Sequence, residues 1–153
     1  VLRPLRAIVK AYDGRGEKTL LSKTILEELN LNEIPDLIKW AYGGLFPKDK
    51  ISALAETVSN TAKMGDKVSI DILAEEAEEA AISVITVAQK LGFKDKDFDL
   101  VFVGGLFRCR KRFKNVLISK LRKSFPGINF IPLVANPVEG AIKLAKKLAI
   151  ENS

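Results

Sequence analysis

The chain has 153 residues, with 25 Lys and Arg against 19 Asp and Glu, a single cysteine and no histidine. With Cys109 alone and no histidine, the chain has no internal disulfide, thiolate zinc cage, or Ser-His or Cys-His catalytic pair. No run of about 18 apolar residues and no signal-peptide pattern is present, so we expect a cytoplasmic protein without a membrane segment.

Residues 1–92 are predicted to be mainly helical, because apolar residues recur there at helical spacing. The turn Asp13–Gly16 follows the first helix, and Gly65 and Gly92 suit the ends of the fourth and fifth. The five predicted helices are Leu2–Tyr12, Leu20–Leu29, Ile34–Tyr42, Lys50–Met64 and, after Asp66, Ser69–Leu91.

Four glutamates lie in the first half of the fifth helix: Glu75, Glu76, Glu78 and Glu79. A cluster of carboxylates suits a metal or an acid/base site. No histidine and no second acidic cluster accompanies them in the sequence, so we interpret them as a solvated helix face.

Residues 93–153 are predicted to form a parallel β-α-β-α unit. Its first strand, Leu100–Val103, is apolar enough to be buried on both faces, and Gly104 and Gly105 at its carboxyl end allow backbone to approach a ligand. Gly140 interrupts the last helix, which predicts close packing or ligand approach there. The other elements are a helix with apolar positions from Phe113 to Phe125, a strand over Ile128–Ile131 and a helix from Asn136 to about Ile150.

Six segments together resemble the carboxyl-terminal half of the BadF/BadG-type ATPases, which include the N-acetylglucosamine kinases. In order, they are Asp13–Gly16 with Thr19, Ile38–Tyr42, Ile51–Ala55, Gly65–Asp66, Val101–Arg108 and Asn136–Ala141. The resemblance implies a helix-rich α/β fold of the actin-like ATPase type, with ATP and Mg²⁺ between two ribonuclease-H-like lobes. Residues 1–153 would form most of the second lobe. The remaining strands and the amino-terminal lobe are expected upstream of Val1.

The resemblance also implies which residues border the nucleotide. Gly104 and Gly105, with Leu106 and Phe107, match the family's adenosine motif, and the turn containing Asp13 and Arg15 would border the nucleotide pocket. The family's phosphate loops and catalytic aspartate precede the matched region. We therefore expect no catalytic residue and no metal ligand in this chain, which would be inactive alone. An amino sugar would bind through the other lobe, and that lobe or a second copy would be a partner.

Other interpretations remain open at this point. In the activator ATPases of the same family, cysteines hold an iron-sulfur cluster between subunits, and the single Cys109 favours the sugar-kinase branch instead. A helical interaction module is also possible. The excess positive charge is local, which suits phosphate, although nucleic-acid binding with Phe107 and Phe113 as stacking groups is an alternative. The local cations are Arg108, Arg110, Lys111, Arg112 and Lys114.

Overall fold

The computed structural model describes residues 2–43, 48–103, 111–134 and 137–151. Within these ranges the fold is a helix-rich α/β arrangement, as predicted. The elements in chain order are α1 (Leu2–Tyr12), α2 (Leu21–Leu29), α3 (Ile34–Tyr42), α4 (Lys48–Lys63), α5 (Lys67–Lys90), β1 (Phe98–Val101), α6 (Lys111–Ser124), β2 (Ile128–Ile131) and α7 (Pro137–Glu151).

Left-handed backbone positions end three of the helices. Gly65 and Gly92 lie two residues beyond the last residues of α4 and α5 and have φ values of +91° and +72°, which confirms their predicted role as helix terminators. Asn30 ends α2 in the same way with φ 55°, a conformation that asparagine tolerates better than most side chains. The helix boundaries therefore follow local backbone chemistry, and α4 begins two residues earlier than predicted.

Two apolar clusters share α5. The first is built from α1 to α4 and includes Ile8, Ile25 and Leu37, and α5 adds Ile72 and Leu73. The second packs α6 and the strands on the following part of α5. Its buried members are Ala77, Ala81, Ala88, Phe113, Leu117, Leu121, Phe125 and Ile128. Alanines on α5 let α6 approach closely, so α5 joins both halves of the structure.

The two strands pair in parallel, with Phe98 opposite Ile128 and Val101 opposite Ile131. The predicted bounds Leu100–Val103 were wrong by two residues, because the ladder begins where the Phe98 N–H donates to the Gly127 carbonyl, 3.2 Å away. Burial of β1 on both faces is not seen within the described residues. Asp99 is exposed and its neighbours in β1 are half-buried, and Phe98 and Leu100 pack against the cluster between α5 and α6.

Helix α7 lies on the surface of the described structure. Its residues 138–150 are exposed, including Ile142 and Leu148, which are about half exposed. The close packing predicted at Gly140 is not observed, since no described atom lies within 4 Å of the position of an added Cβ. Across the described ranges, no helix combines the length and the apolar character needed to cross a bilayer.

Two glycines should respond oppositely to alanine. A Cβ at Gly127 would collide with the Asp97 carboxylate and lie 2.9 Å from the Lys96 carbonyl oxygen. Gly127→Ala should therefore lower the free energy of unfolding by about 1 to 3 kcal/mol. At Gly140, which has open space in a helix, alanine should raise it by up to about 1 kcal/mol. Urea unfolding of both variants checks this pair, and equal effects would contradict it.

Candidate functional site

The adenosine-motif residues Gly104, Gly105, Leu106 and Phe107 lie outside the described residues, so their predicted nucleotide contacts stay predictions. The structure does describe what precedes and follows them. β1 and β2 are parallel and end together at Val101 and Ile131. The described chain leaves β1 at this carboxyl edge, and ligands bind at such edges in open α/β sheets.

Aromatic contacts hold the residue that follows β1. The Phe102 ring stacks on Phe130, with ring centroids 5.5 Å apart, and Lys114 Nζ lies 5.4 Å from the Phe102 centroid. Lys114 belongs to α6, so this cation–π contact links the start of that helix to the residue after β1. Val103, the last described residue before the glycines, is about half exposed. Of the two residues that precede the predicted motif, Phe102 is therefore held by packing and Val103 is accessible to solvent.

The turn after α1 is organised by an ion pair within itself. Gly14 has φ +79°, which lets the chain reverse so that Arg15 returns to Asp13. The Asp13 carboxylate accepts a hydrogen bond from Arg15 Nε at 2.9 Å and another from the Arg15 backbone N–H at 3.2 Å. These bonds lower the pKa of Asp13, and the same carboxylate raises the pKa of Arg15. Both groups are charged at neutral pH, so the pair presents a neutral dipole more than a free cation.

The segment from Gly16 to Leu20 is fixed at both ends. The Gly16 N–H donates to the Lys10 carbonyl at 2.9 Å, and a Cβ at Gly16 would lie 2.9 Å from Lys10 Cβ, so the chain passes closely over the end of α1. Glu17 then accepts from Lys67 Nζ at 2.6 Å, which raises the pKa of Lys67. The turn is therefore held against both α1 and the first residue of α5.

Asp66 is the main link between this segment and α5. Its side chain is almost fully buried and accepts four hydrogen bonds. The donors are Thr19 Oγ1 at 2.8 Å, Leu20 N at 2.9 Å, Ser69 N at 2.9 Å and Ser69 Oγ at 2.6 Å. Burial by itself would raise the pKa of the Asp66 carboxyl, but the hydrogen bonds from Ser69, Leu20 and Thr19 outweigh it and lower the pKa.

Sequence reasoning placed Asp66 only at the start of a helix. The signal for its capping role was present, because Asp at the N-cap position followed by Ser69 at N3 is a known helix start. Its bond to Thr19 spans 47 residues. Local sequence patterns do not predict contacts over such a separation, so the hydrogen bonds from Thr19 and Leu20 to Asp66 were not predicted.

The four glutamates of α5 lie on a partly exposed face and form ion pairs, in agreement with their interpretation as a solvated surface. Arg3 Nη1 lies 3.0 Å from Glu75, and other guanidinium nitrogens of Arg3 lie within 3.5 Å of Glu76 and Glu79. Glu78 pairs with Lys120 of α6 at 2.6 Å. Among the described residues, no group of three or more His, Cys, Asp or Glu side chains is arranged to hold a metal ion.

Phe113 does not serve as an exposed stacking group. It is 4% exposed and belongs to the cluster between α5 and α6. The nucleic-acid alternative required a free aromatic ring at this position, so the structure is against it there. Phe107, Arg108, Cys109 and Arg110 lie outside the described residues.

The two predicted parts of the site, the Asp13–Gly16 turn and the carboxyl edge of the sheet, are connected to different parts of α5. The turn that contains Asp13 and Arg15 attaches at the amino-terminal end of α5 through Asp66 and Lys67. The carboxyl edge of the sheet attaches through α6, which packs along the next turns of α5. Within the described residues, no hydrogen bond or ion pair joins the turn directly to β1.

Residues 1–145 match the BadF/BadG/BcrA/BcrD ATPase family. The chain belongs to this family. It is 33% identical over 146 residues to N-acetyl-D-glucosamine kinase from Dictyostelium discoideum, a match that covers 92% of the chain and 45% of that protein. It is 30% identical over 145 residues to N-acetylmuramic acid/N-acetylglucosamine kinase from Clostridium acetobutylicum, covering 95% of the chain and 47% of the relative.

The chain thus spans about half the length of the curated relatives that it matches. For this BadF-type chain, the family resemblance seen in the sequence is confirmed. The matches with the two kinases cover nearly all of it. The activity, substrates and partners of the whole protein are the subject of the proposal below.

Proposed function

We propose that the protein containing this chain is an ATP-dependent kinase that phosphorylates N-acetylglucosamine or a closely related amino sugar. The observation that supports this most directly is the similarity to two kinases of such sugars over 92% and 95% of the chain. Similarity confined to one strand and its glycines would support only nucleotide binding. Similarity that extends through both apolar clusters supports the proposal that the whole protein is a kinase of the same type.

In this proposal the chain forms most of the second, ribonuclease-H-like lobe of an actin-like ATPase fold. The parallel β1-α6-β2 unit and the succeeding α7 are consistent with part of such a lobe. The remaining strands and the other lobe would be supplied by residues outside this chain. Both strands contain half-buried residues, which agrees with a sheet that has more than two strands.

The residues of this chain would bind and orient the nucleotide. Gly104 and Gly105 would let the backbone after β1 approach the adenosine, and the paired Asp13 and Arg15 would border the pocket. ATP supplies the phosphoryl group that is transferred to the sugar hydroxyl. As the family resemblance implies, the Mg²⁺ that accompanies ATP would take its ligands from residues outside this chain.

The test uses the intact protein and follows ADP release with ATP, Mg²⁺ and one sugar at a time. We expect release with N-acetylglucosamine, and much less with glucose, which lacks the acetamido group. N-acetylmuramic acid tests whether the acceptor site tolerates a lactyl ether. ADP release that is independent of any sugar would contradict the kinase proposal and favour an activator-type ATPase.

A matched pair of variants tests the predicted adenosine edge. Gly104→Val should raise the KM for ATP at least about tenfold and leave the KM for the sugar unchanged, because a branched side chain would stand between backbone and nucleotide. Gly140→Ala is the control, since it places a Cβ in open space on α7. An unchanged KM for ATP in the Gly104→Val enzyme would remove this motif from the nucleotide site.

A further inference from the structure

Four side chains from β2, α6 and the residue after β1 meet where the chain leaves β1. Phe102 follows β1 and Phe130 belongs to β2, and their rings stack with centroids 5.5 Å apart and planes 12° from parallel. Helix α6 places a cation near each ring. Lys114 Nζ lies 5.4 Å from the Phe102 centroid, and the Arg122 guanidinium carbon lies 5.6 Å from that of Phe130. These four residues form an aromatic cluster between the sheet and α6.

The aromatic cluster follows from the register of the sheet. Leu100 lies opposite Phe130, and Phe102 is two residues beyond Leu100, so the Phe102 and Phe130 side chains lie on the same face of the sheet. Both rings are half-buried and pack against the apolar cluster between α5 and α6. Because α6 packs on this face, Lys114 and Arg122 are within reach of the rings.

Side-chain contacts matter for Phe102 because the pairing of the two strands has already ended. The last pair is Val101 with Ile131, and Phe102 lies one residue beyond it. Lys120 of α6 pairs with a glutamate of α5 at 2.6 Å, whereas Lys114 forms no salt bridge within the described ranges. The ring of Phe102 is therefore the partner that the structure gives to the Lys114 cation.

We infer that Lys114 is a positioning residue for the proposed nucleotide site. Its contact holds the ring of Phe102 against Phe130 and so fixes the direction in which the chain leaves β1. The inference rests on the proposed function, because this direction matters for ATP only if the segment that follows Val103 binds adenosine. In this role Lys114 does not touch the nucleotide, and its charge acts through the ring.

The first experiment measures the affinity of ATP for the intact protein by isothermal titration calorimetry. Lys114→Met removes the charge but keeps an unbranched side chain, so it should weaken ATP binding about two- to fivefold, the size of a partly exposed cation–π contact. Lys114→Arg should bind ATP like the parent, since a guanidinium also stacks on an aromatic ring.

Lys120→Met is the matched control, because it removes a cation of the same helix that pairs with a carboxylate instead of a ring. Its affinity for ATP should equal that of the parent. Equal losses in Lys114→Met and Lys120→Met would show a general effect of charge and overturn the inference.

A double-mutant cycle separates this role from direct contact between Lys114 and a phosphate group. Phe102→Leu keeps an apolar side chain but removes the ring, and should itself weaken ATP binding. If Lys114 acts through the ring, adding Lys114→Met to Phe102→Leu should cause no further loss. The same loss in both backgrounds would overturn the inference, because the cation would then act on the nucleotide without Phe102.

Hydrogen exchange in the absence of nucleotide tests the positioning itself. The peptide that covers β1, Phe102 and Val103 should exchange faster in Lys114→Met than in the parent, and at the parent rate in Lys114→Arg. Unchanged exchange in Lys114→Met would overturn this inference and leave the proposed function standing. A parent protein that bound no ATP would overturn the proposed function, and the role of Lys114 with it.

Discussion

Replacing Phe125 with alanine should lower the free energy of unfolding by about 3 to 5 kcal/mol, the largest effect that we expect in this chain. The side chain is 1% exposed at the end of α6. Its ring meets Phe98 of β1 edge to face, with centroids 5.5 Å apart, and Phe98 stacks on Phe93 at 4.9 Å. Truncation would leave a cavity between the helix and the sheet.

Guanidinium chloride unfolding measures this effect, and Phe125→Leu is the matched control. Leucine keeps most of the buried volume but not the aromatic contact, so it should cost about 1.5 kcal/mol or less. If both variants lost the same free energy, the ring contact would matter more than the filled volume, contrary to the expectation. Under the proposed function, Phe125→Ala should also weaken ATP binding by the intact protein, since Phe125 contacts Phe98 in the strand that precedes Gly104 in the sequence.

Asp66→Ala should be the second most damaging change, with a loss of about 2 to 4 kcal/mol. The variant removes the N-cap of α5 and leaves Leu20 N and Ser69 N without their acceptor. Asp66→Asn keeps one oxygen and should lose less. Asp13→Asn is the control, because it also removes a carboxylate of lowered pKa, but one that lies on the surface. Urea unfolding at pH 7 should rank the three variants in that order.

The pH dependence of stability gives a second measurement on Asp66. Its pKa is lower in the folded chain than its ordinary value of about 3.9. The folded state therefore favours the carboxylate, and the stabilisation is fully present above the unfolded pKa. It is lost as the pH falls through the lower folded pKa. The difference in stability between the parent and Asp66→Asn should be constant from pH 7 to about pH 5 and shrink below about pH 4. A difference that grew on acidification would contradict this assignment.

The helices were predictable because their signals are local. The bounds of α1 and α3 were predicted to the residue, and Gly65 and Gly92 end the next two helices as expected. β1 was displaced by two residues because apolar composition continues through Val103, whereas pairing with Ile128 decides where the strand begins. Strand bounds depend on a partner that local sequence does not contain.

The candidate site was predictable only in part. The sequence indicated that Asp13 and Arg15 form a turn, but not that they neutralise each other there. It did not indicate that Thr19 and Asp66 meet, since the tertiary packing of α2 on α4, which directly precedes Asp66 and α5, brings them together. The resemblance to the family identified Gly104–Phe107, and their nucleotide contacts, the second-lobe assignment and the cytoplasmic location remain predictions.

The uninterrupted course of α5 has a consequence for how the chain unfolds. Its 24 residues extend about 36 Å and contribute Ile72 and Leu73 to one apolar cluster and Ala77 and Ala81 to the next, barely one turn later. If either cluster unfolded fully, it would expose apolar residues of α5, and the other cluster packs on the same helix. We therefore expect the two halves to unfold as one cooperative unit, with amide hydrogens near Ala77 among the slowest to exchange.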